Sequence, residues 1–351
     1  MKFDFDDILI QPEVTTDILS RIQIKLFDDR GMLPLFTAPM DTVVSIENED
    51  IYKANYIYSI LPRTAKDNNS LIKTNEFQWK ALSLVDFICY INTYVSLKEK
   101  TYLLIDIANG HMLSVVDAIK KAKDKFKDDI VIMAGNVAHP GAYKILSEAG
   151  AEYVRIGIGN GNGCLTTQQT GIGYPMASLI KECYDVSCTL NNPAKIVADG
   201  GFKKYADIIK ALALGADYVM LGSIFNKALE SAGETYAANI KHEGWTQPGE
   251  LVDQYSKITK RDFESGTKFY KKFRGMSTKE VQKSLGSTTL KTSEGITKMQ
   301  PVEYTLEGWV ENFSHYLSSA MSYCNKKELS YFIGNVYFNL ITQNAYNRFN
   351  K

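Results

Sequence analysis

Gly150-Ala-Glu-Tyr-Val-Arg-Ile-Gly157 recurs 65 residues later as Gly215-Ala-Asp-Tyr-Val-Met-Leu-Gly222. Upstream of each copy, a second apolar run ends in glycine at the same offset: Val131-Ile-Met-Ala-Gly135 and Ile196-Val-Ala-Asp-Gly200. Each copy reads as a strand ending in glycine, an amphipathic helix, then Gly-Ala and the next strand. Two βα units of about 30 residues each fill such a period.

Outward from this pair, short β-rich runs are spaced near 34–38, 57–60, 85–90, 102–106, 130–134, 153–157, 195–198 and 218–221. Apolar-periodic segments separate most of them, for example 114–126, 142–149 and 205–214. Eight strands with intervening helices predict an α/β chain folded as a (β/α)8 TIM barrel, with a doubly wound open sheet as the alternative. No Pro- or Ser-rich linker divides the chain, so residues 1–351 read as a single barrel domain. Residues 240–310 carry Gly, Ser, Thr and many charges with little strand signal. They read either as a flap or lid excursion over the site or as a solvated surface insertion. The tail 311–351 reads as an amphipathic helical segment, rich in Tyr, Phe and Asn, suited to packing or subunit contacts.

Forty basic residues balance forty acidic ones among 351, so no electrostatic partner such as nucleic acid or a membrane surface is indicated. The N-terminus Met-Lys-Phe-Asp-Phe-Asp-Asp is acidic and lacks the apolar core of a signal peptide, and no apolar run approaches a spanning length. The five cysteines have no Cys-x-x-Cys spacing and the four histidines no His-x-x-x-His array, which disfavours zinc. A reducing, cytoplasmic setting is the expectation.

Chemistry on a barrel sits where its strands end, and the polar and glycine residues gather there. The turns Asp199-Gly200-Gly201 and Gly222-Ser223 suit a phosphate, because backbone N–H groups can approach an anion where no Cβ intervenes. The alternative is that these glycines only make tight turns. Asp199 could accept from ribose hydroxyls or be a buried structural acid. Gly157-Ile-Gly-Asn-Gly-Asn-Gly-Cys164 places a thiol on a glycine loop whose backbone dipoles would stabilise a thiolate nucleophile. A small buried hydrophobe is the competing reading of Cys164. Carbonyls of the same loop could meet a monovalent cation. Asp106-Ile-Ala-Asn-Gly-His111 ends the fourth strand and could meet a second ligand, with His111 as base or as cap. Glu294, by itself, is one of many surface-looking carboxylates.

The motifs Phe5-Asp-Asp-Ile-Leu-Ile-Gln-Pro12, Ala38-Pro-Met-Asp-Thr-Val43, Ala134-Gly-Asn-Val137, the cysteine loop, Asp199-Gly-Gly201, Met220-Leu-Gly-Ser223 and Arg274-Gly-Met-Ser277 occur in this order. Together they resemble the successive motifs of the IMP dehydrogenase and GMP reductase family, over nearly the whole chain. The reductase branch is the better match. Asp106-Ile-Ala-Asn-Gly110, Thr170-Gly-Ile-Gly-Tyr-Pro175, Thr166 and Ser293-Glu-Gly295 resemble its versions. The dehydrogenase branch activates water with an Arg-Tyr pair, and no such dipeptide occurs here.

The resemblance implies a homotetrameric barrel that reduces and deaminates GMP to IMP and ammonia with NADPH. It implies Cys164 as nucleophile at purine C2, with Thr166 and Glu294 managing the leaving ammonia. Asp199 would hold the ribose, and Gly200, Gly201, Gly222, Ser223 and the loop residue Asn162 the phosphate. Met276, Ser277 and Gly295 would face the base. Asp106, Ala108 and Asn109 would lie along the cofactor, and the carbonyls of Gly159 and Gly161 would bind potassium. An IMP dehydrogenase, a reductase of a modified purine nucleotide, and a purine-nucleotide-binding protein without turnover are the alternatives.

The chain departs from the family pattern at several points. Asn162 stands for a phosphate-binding Ser, and Gly163 for the apolar residue after it. Ile57-Tyr-Ser-Ile-Leu-Pro-Arg-Thr64 replaces a segment with His and Lys near the cofactor, leaving Arg63 there. Ser318 and Lys291 stand for two arginines.

Overall fold

The computed structural model describes residues 2–65, 74–238, 249–286, 289, 292 and 294–349. Eight parallel strands form one sheet: β1 (Leu35–Thr37), β2 (Ser59–Leu61), β3 (Gln78–Leu82), β4 (Thr101–Asp106), β5 (Ile130–Val137), β6 (Tyr153–Ile156), β7 (Lys195–Asp199) and β8 (Tyr218–Leu221). Their order is β1-β8-β7-β6-β5-β4-β3-β2. A parallel bridge between Phe36 and Tyr58 joins the two ends: Thr37 N–H donates to Tyr58 O at 2.9 Å and Tyr58 N–H to Leu35 O at 3.1 Å. The sheet is the expected TIM-type barrel.

The repeated Gly-Ala-(Glu/Asp)-Tyr-Val has a structural counterpart. Glu152 and Asp217 each enter a strand by clasping the neighbouring one. Glu152 N–H donates to Ile132 O at 3.0 Å while its carboxylate accepts from Ile132 N–H at 2.8 Å. Asp217 makes the same pair with Ile196, at 3.0 and 2.8 Å. The acid therefore sets the register of its strand as it enters the sheet.

One strand differs from the sequence expectation. The third strand is Gln78–Leu82, and 85–90 lies within a helix, Leu84–Thr93. Ser83 caps that helix by accepting from Asp86 N–H at 3.1 Å. Only Phe87, Tyr90 and Ile91 are buried, at helical spacing, whereas Val85 and Ile88 are exposed. The apolar run looked continuous because its outward face also carries apolar residues. Trp79 and Ala81 alternate inward on the true strand, separated by a lysine that masks the period.

The barrel interior is filled at its N-terminal end by Phe36, Tyr58, Trp79, Tyr102, Tyr153 and Tyr218. Phe36 stacks on Tyr58 at 4.8 Å between ring centroids, and Trp79 meets Tyr153 edge-on at 5.0 Å. Asp28 below them accepts from Tyr58 OH at 2.5 Å and Tyr218 OH at 3.0 Å, which satisfies two hydroxyls at the buried end. The next layer is smaller, with Ala38, Ala81, Leu104, Met133, Val197 and Met220. Large rings therefore plug one end, and the other is left open to build a cavity.

The described part of residues 240–310 carries more regular structure than its composition suggests, built onto a strand that precedes it. β9 (Thr235–Ala237), β10 (Leu251–Val252), β11 (Phe269–Arg274) and β12 (Thr297–Pro301) form an antiparallel sheet ordered β10-β9-β11-β12. Phe269, Lys271 and Phe273 of β11 face inward, with Tyr270, Lys272 and Arg274 between them. An inward lysine in the pattern conceals a strand from a reading based on alternating polarity. Lys271 is fully buried and donates to Ser231 O at 2.6 Å and Gly233 O at 3.2 Å, and burial pushes its pKa down to about 7. Residues 240–248 and Lys291 lie outside the described residues.

The tail holds helices Leu306–Tyr323, Leu329–Phe332 and Gln343–Phe349, together with a strand, Phe338–Leu340, that pairs antiparallel with Ile8–Ile10. Ser318 lies on the buried face of the first helix, its hydroxyl bonded to Ser314 O at 2.8 Å. Among the described residues, no helix is long and apolar enough to cross a membrane.

Candidate active site

Side-chain alternation decides what reaches the open end of the barrel. Two residues beyond the interior side chains Leu104, Tyr153, Val197 and Met220 stand Asp106, Arg155, Asp199 and Gly222. All four line a cavity of about 250 Å3 at the C-terminal ends of the strands.

Three of them are charged, and with Arg63 they alternate in sign. Arg63 Nε lies 3.0 Å from Asp106 Oδ2, and Arg155 Nη1 donates to Asp106 Oδ1 at 2.7 Å. Arg155 Nε and Nη2 both reach Asp199 Oδ2 at 3.0 Å, and Asn136 Nδ2 donates to the same oxygen at 2.8 Å. Burial works against the Arg155 charge, but Asp199 and then Asp106 outweigh it and hold its pKa above the ordinary value. Asp199 Oδ1 takes part in none of these contacts. Asn136 also donates to Gly157 O at 2.7 Å, tying the row to the start of the glycine loop.

That loop bends by using conformations closed to other residues. Gly159 has φ +80°, and a Cβ there would sit 1.7 Å from Thr167 Oγ1. Gly200, at φ +86°, lies so close to Gly161 that a Cβ would meet its N and Cα at 3.0 Å. The phosphate-type turn and the cysteine loop are thus packed backbone against backbone. Among the described residues, the N–H groups of Gly201 and Asn162 donate to no protein acceptor. Both residues line the cavity, as do Gly200, Gly222 and Ser223.

Cys164 is half-buried at the loop's end, on the cavity wall. Its Sγ lies 3.1 Å from Thr166 Oγ1, which donates to Glu294 Oε2 at 2.5 Å. Glu294 arrives from 128 residues further along the chain. It is placed by backbone pairing: Leu165 N–H donates to Glu294 O at 2.7 Å, Cys164 bridges Gly295, and Ile296 N–H donates to Gly163 O at 3.2 Å. The cysteine loop thus behaves as an extra edge of the segment leading into β12. Arg274 anchors the neighbouring strand to the barrel through Asp41, and to Glu280 at 2.5 Å.

The structure brings together most of the residues singled out from sequence. Cys164, Thr166, Asp106, Ala108, Gly159, Gly161, Met276 and Ser277 all line the cavity with the phosphate-type turns. Glu294 reaches it through Thr166. Asn109 is not on the cavity wall; its side chain accepts from His111 N–H at 3.2 Å. His111 in turn accepts from Ala138 N–H at 3.1 Å, and burial, then His139, push its pKa down. It caps a loop and does not face the cavity.

Four further wall residues, Arg155, Phe202, Ile224 and Phe273, belong to none of the site motifs singled out from sequence. Arg155 had a signal: in the repeat it occupies the position of Met220, a lone charge in an apolar strand. Phe273 had none, because its role depends on where β11 lands.

Comparison with known proteins agrees with this geometry. The model for the IMP dehydrogenase / GMP reductase domain matches residues 94–244. A GMP reductase of Vibrio vulnificus is 30% identical over 349 residues, covering 94% of this chain and 91% of the relative. GMP reductase 2 of Homo sapiens is 28% identical over 366 residues, covering 98% and 95%. A GMP reductase of Streptococcus pyogenes is 35% identical over 249 residues, covering 68% and 74%. A cysteine loop beside glycine turns on a parallel barrel, matched over nearly its full length by such relatives, shows that this chain belongs to the IMP dehydrogenase / GMP reductase family.

Proposed function

We propose that this oxidoreductase-family chain is an NADPH-dependent GMP reductase, which removes the 2-amino group of GMP as ammonia and leaves IMP. The observation that carries the reading is the row Cys164 Sγ, Thr166 Oγ1, Glu294 Oε2, with steps of 3.1 and 2.5 Å, on the wall of a cavity floored by two glycine turns.

The residues divide the work by position. The amides of Gly201 and Asn162, with the turns Gly200 and Gly222-Ser223, receive the phosphate. Asp199 Oδ1, left over from the Arg155 contact, accepts from the ribose. Met276 and Ser277 border the base, while Gly295, off the cavity wall, pairs with Cys164. Cys164 Sγ bonds to C2, and the C2–N2 bond breaks as the amine takes a proton passed from Glu294 through Thr166 and leaves as ammonia. C2 then receives hydride, and the Sγ–C2 bond breaks with its electron pair returning to sulfur.

When bound, the dihydronicotinamide supplies that hydride. Arg63, Asp106, Ile107 and Ala108 form the wall that would hold it. The buried hydroxyl of Thr64, beside Arg63 but off that wall, has no partner among the described residues. Potassium fits less completely. Gly161 O already accepts from Cys164 N–H at 2.9 Å, and two carbonyls do not make a coordination shell, so no step uses the ion.

The test is an ammonia assay with GMP and NADPH in potassium buffer. One ammonia per NADPH consumed is expected. Cys164→Ala should keep GMP binding and lose turnover. Folded wild-type protein that binds GMP yet releases no ammonia refutes the proposal, and reduction of NAD with IMP would place the chain with the dehydrogenases.

A further inference from the structure

Lys80 lies on β3 between Trp79 and Ala81, both turned into the barrel, so its side chain faces away from the interior. It is nonetheless only 8% exposed. Its ammonium donates to Pro62 O at 2.5 Å and to Ala65 O at 2.7 Å. These are the first and last residues of a tight turn, closed by Ala65 N–H to Pro62 O at 3.0 Å. The two central residues are Arg63 and Thr64, and Arg63 meets Asp106 on the cavity wall.

A four-residue turn with one backbone bond of its own is a weak support for a long side chain. Fixing an arginine costs rotamer entropy, before the backbone that carries it is ordered. Lys80 supplies the missing constraint by tying both ends of the turn to the strand beside it. Burial pushes its pKa down to about 8, with Asp86 the opposite charge acting on it. Charged or neutral, the amine keeps at least two N–H groups for two carbonyls.

We propose that Lys80 is a positioning residue for the cofactor: by clasping the 62–65 turn it holds Arg63 against Asp106 and so fixes the wall that receives the nicotinamide. This rests on the reductase reading above. It concerns a residue that touches neither substrate nor the reacting atoms.

The test compares wild type, Lys80→Met and Lys80→Arg by steady-state kinetics, with NADPH and GMP dissociation constants measured separately. Displacement of a positioning group by about 1 Å can cost roughly 100-fold, so Lys80→Met should raise the KM and Kd for NADPH by about tenfold or more. The Kd for GMP should stay within about twofold, a change worth less than 0.5 kcal/mol. Lys80→Arg, which can still donate to both carbonyls, should recover most of the loss.

Unchanged NADPH affinity in Lys80→Met overturns the proposal, as does equal weakening of GMP, which marks general loosening. If Lys80→Met does not fold, Arg63→Gln decides: it must weaken NADPH selectively, and no effect overturns the proposal. A wild type that binds NADPH without GMP-dependent turnover sinks the reductase reading alone, and the NADPH dissociation constants still read the brace. A wild type that does not bind NADPH overturns both.

Discussion

Replacing Arg155 by Met removes the hub of the charged row while keeping most of its volume. The side chain is 11% exposed and makes three charge-assisted contacts at 2.7–3.0 Å, two to Asp199 and one to Asp106. Such contacts are worth about 1.5–3 kcal/mol each, together about 4.5–9 kcal/mol. Burying the guanidinium in the native protein takes back several kcal/mol. The expected net loss is therefore about 3–5 kcal/mol, the range for removing one partner from a buried pair. Asp106 still has Arg63, so the uncompensated charge is that of Asp199. Arg155→Met/Asp199→Asn should consequently be more stable than Arg155→Met alone, by about 1–2 kcal/mol, despite carrying one more substitution. Chemical denaturation of the wild type, both single variants and the double variant measures all four corners. A loss below about 1 kcal/mol for Arg155→Met refutes the reasoning, as does a double variant that adds the two penalties.

Three further outcomes follow from the same geometry. Thr166→Val keeps the shape but cuts the path between Cys164 and Glu294; kcat should fall by about 100- to 10,000-fold with the GMP dissociation constant little changed. Gly163→Val would place a Cβ 2.9 Å from Phe273 Cε1, so it should lower GMP affinity and thermal stability, and Phe273→Leu should relieve part of both, as read by calorimetry. Lys271 titrates at about 7 in the fold and near 10.5 when unfolded, so unfolding takes up a proton between these values. Wild-type stability should therefore rise relative to Lys271→Met as pH goes from 7 to 9, by up to about 1.4 kcal/mol per unit. Parallel denaturation curves for the two proteins across that window would exclude it.

How much of this was legible in the chain differs from residue to residue. Local chemistry was enough for much of the glycine turns and the cysteine loop, because the positive φ at Gly157, Gly159, Gly200 and Gly201 demands glycine whatever the surroundings. The helix 84–93 reads as a strand from sequence because a short apolar run has no period until one knows which face is buried. β11 is hidden by Lys271, whose inward position is tolerable only because Ser231 and Gly233 carbonyls, far from it in sequence, accept hydrogen bonds from its amine. Arg155 stood in plain view in the repeat, but a lone charge in a strand does not reveal its partners.

By itself, the sequence determined the βα repeat, the eight-strand barrel and the family, since strand period, helix period and turn glycines are properties of neighbours in the chain. The family resemblance gave Thr166 and Glu294 a shared task, but tertiary structure alone decided the direct contact between them, that Arg155 joins Asp106 to Asp199, and that Lys80 clasps the turn bearing Arg63. Each of these is a contact of a few ångströms between charges or polar groups far apart in the chain. Such contacts become worth making only when burial has removed the water that would otherwise take each partner's place.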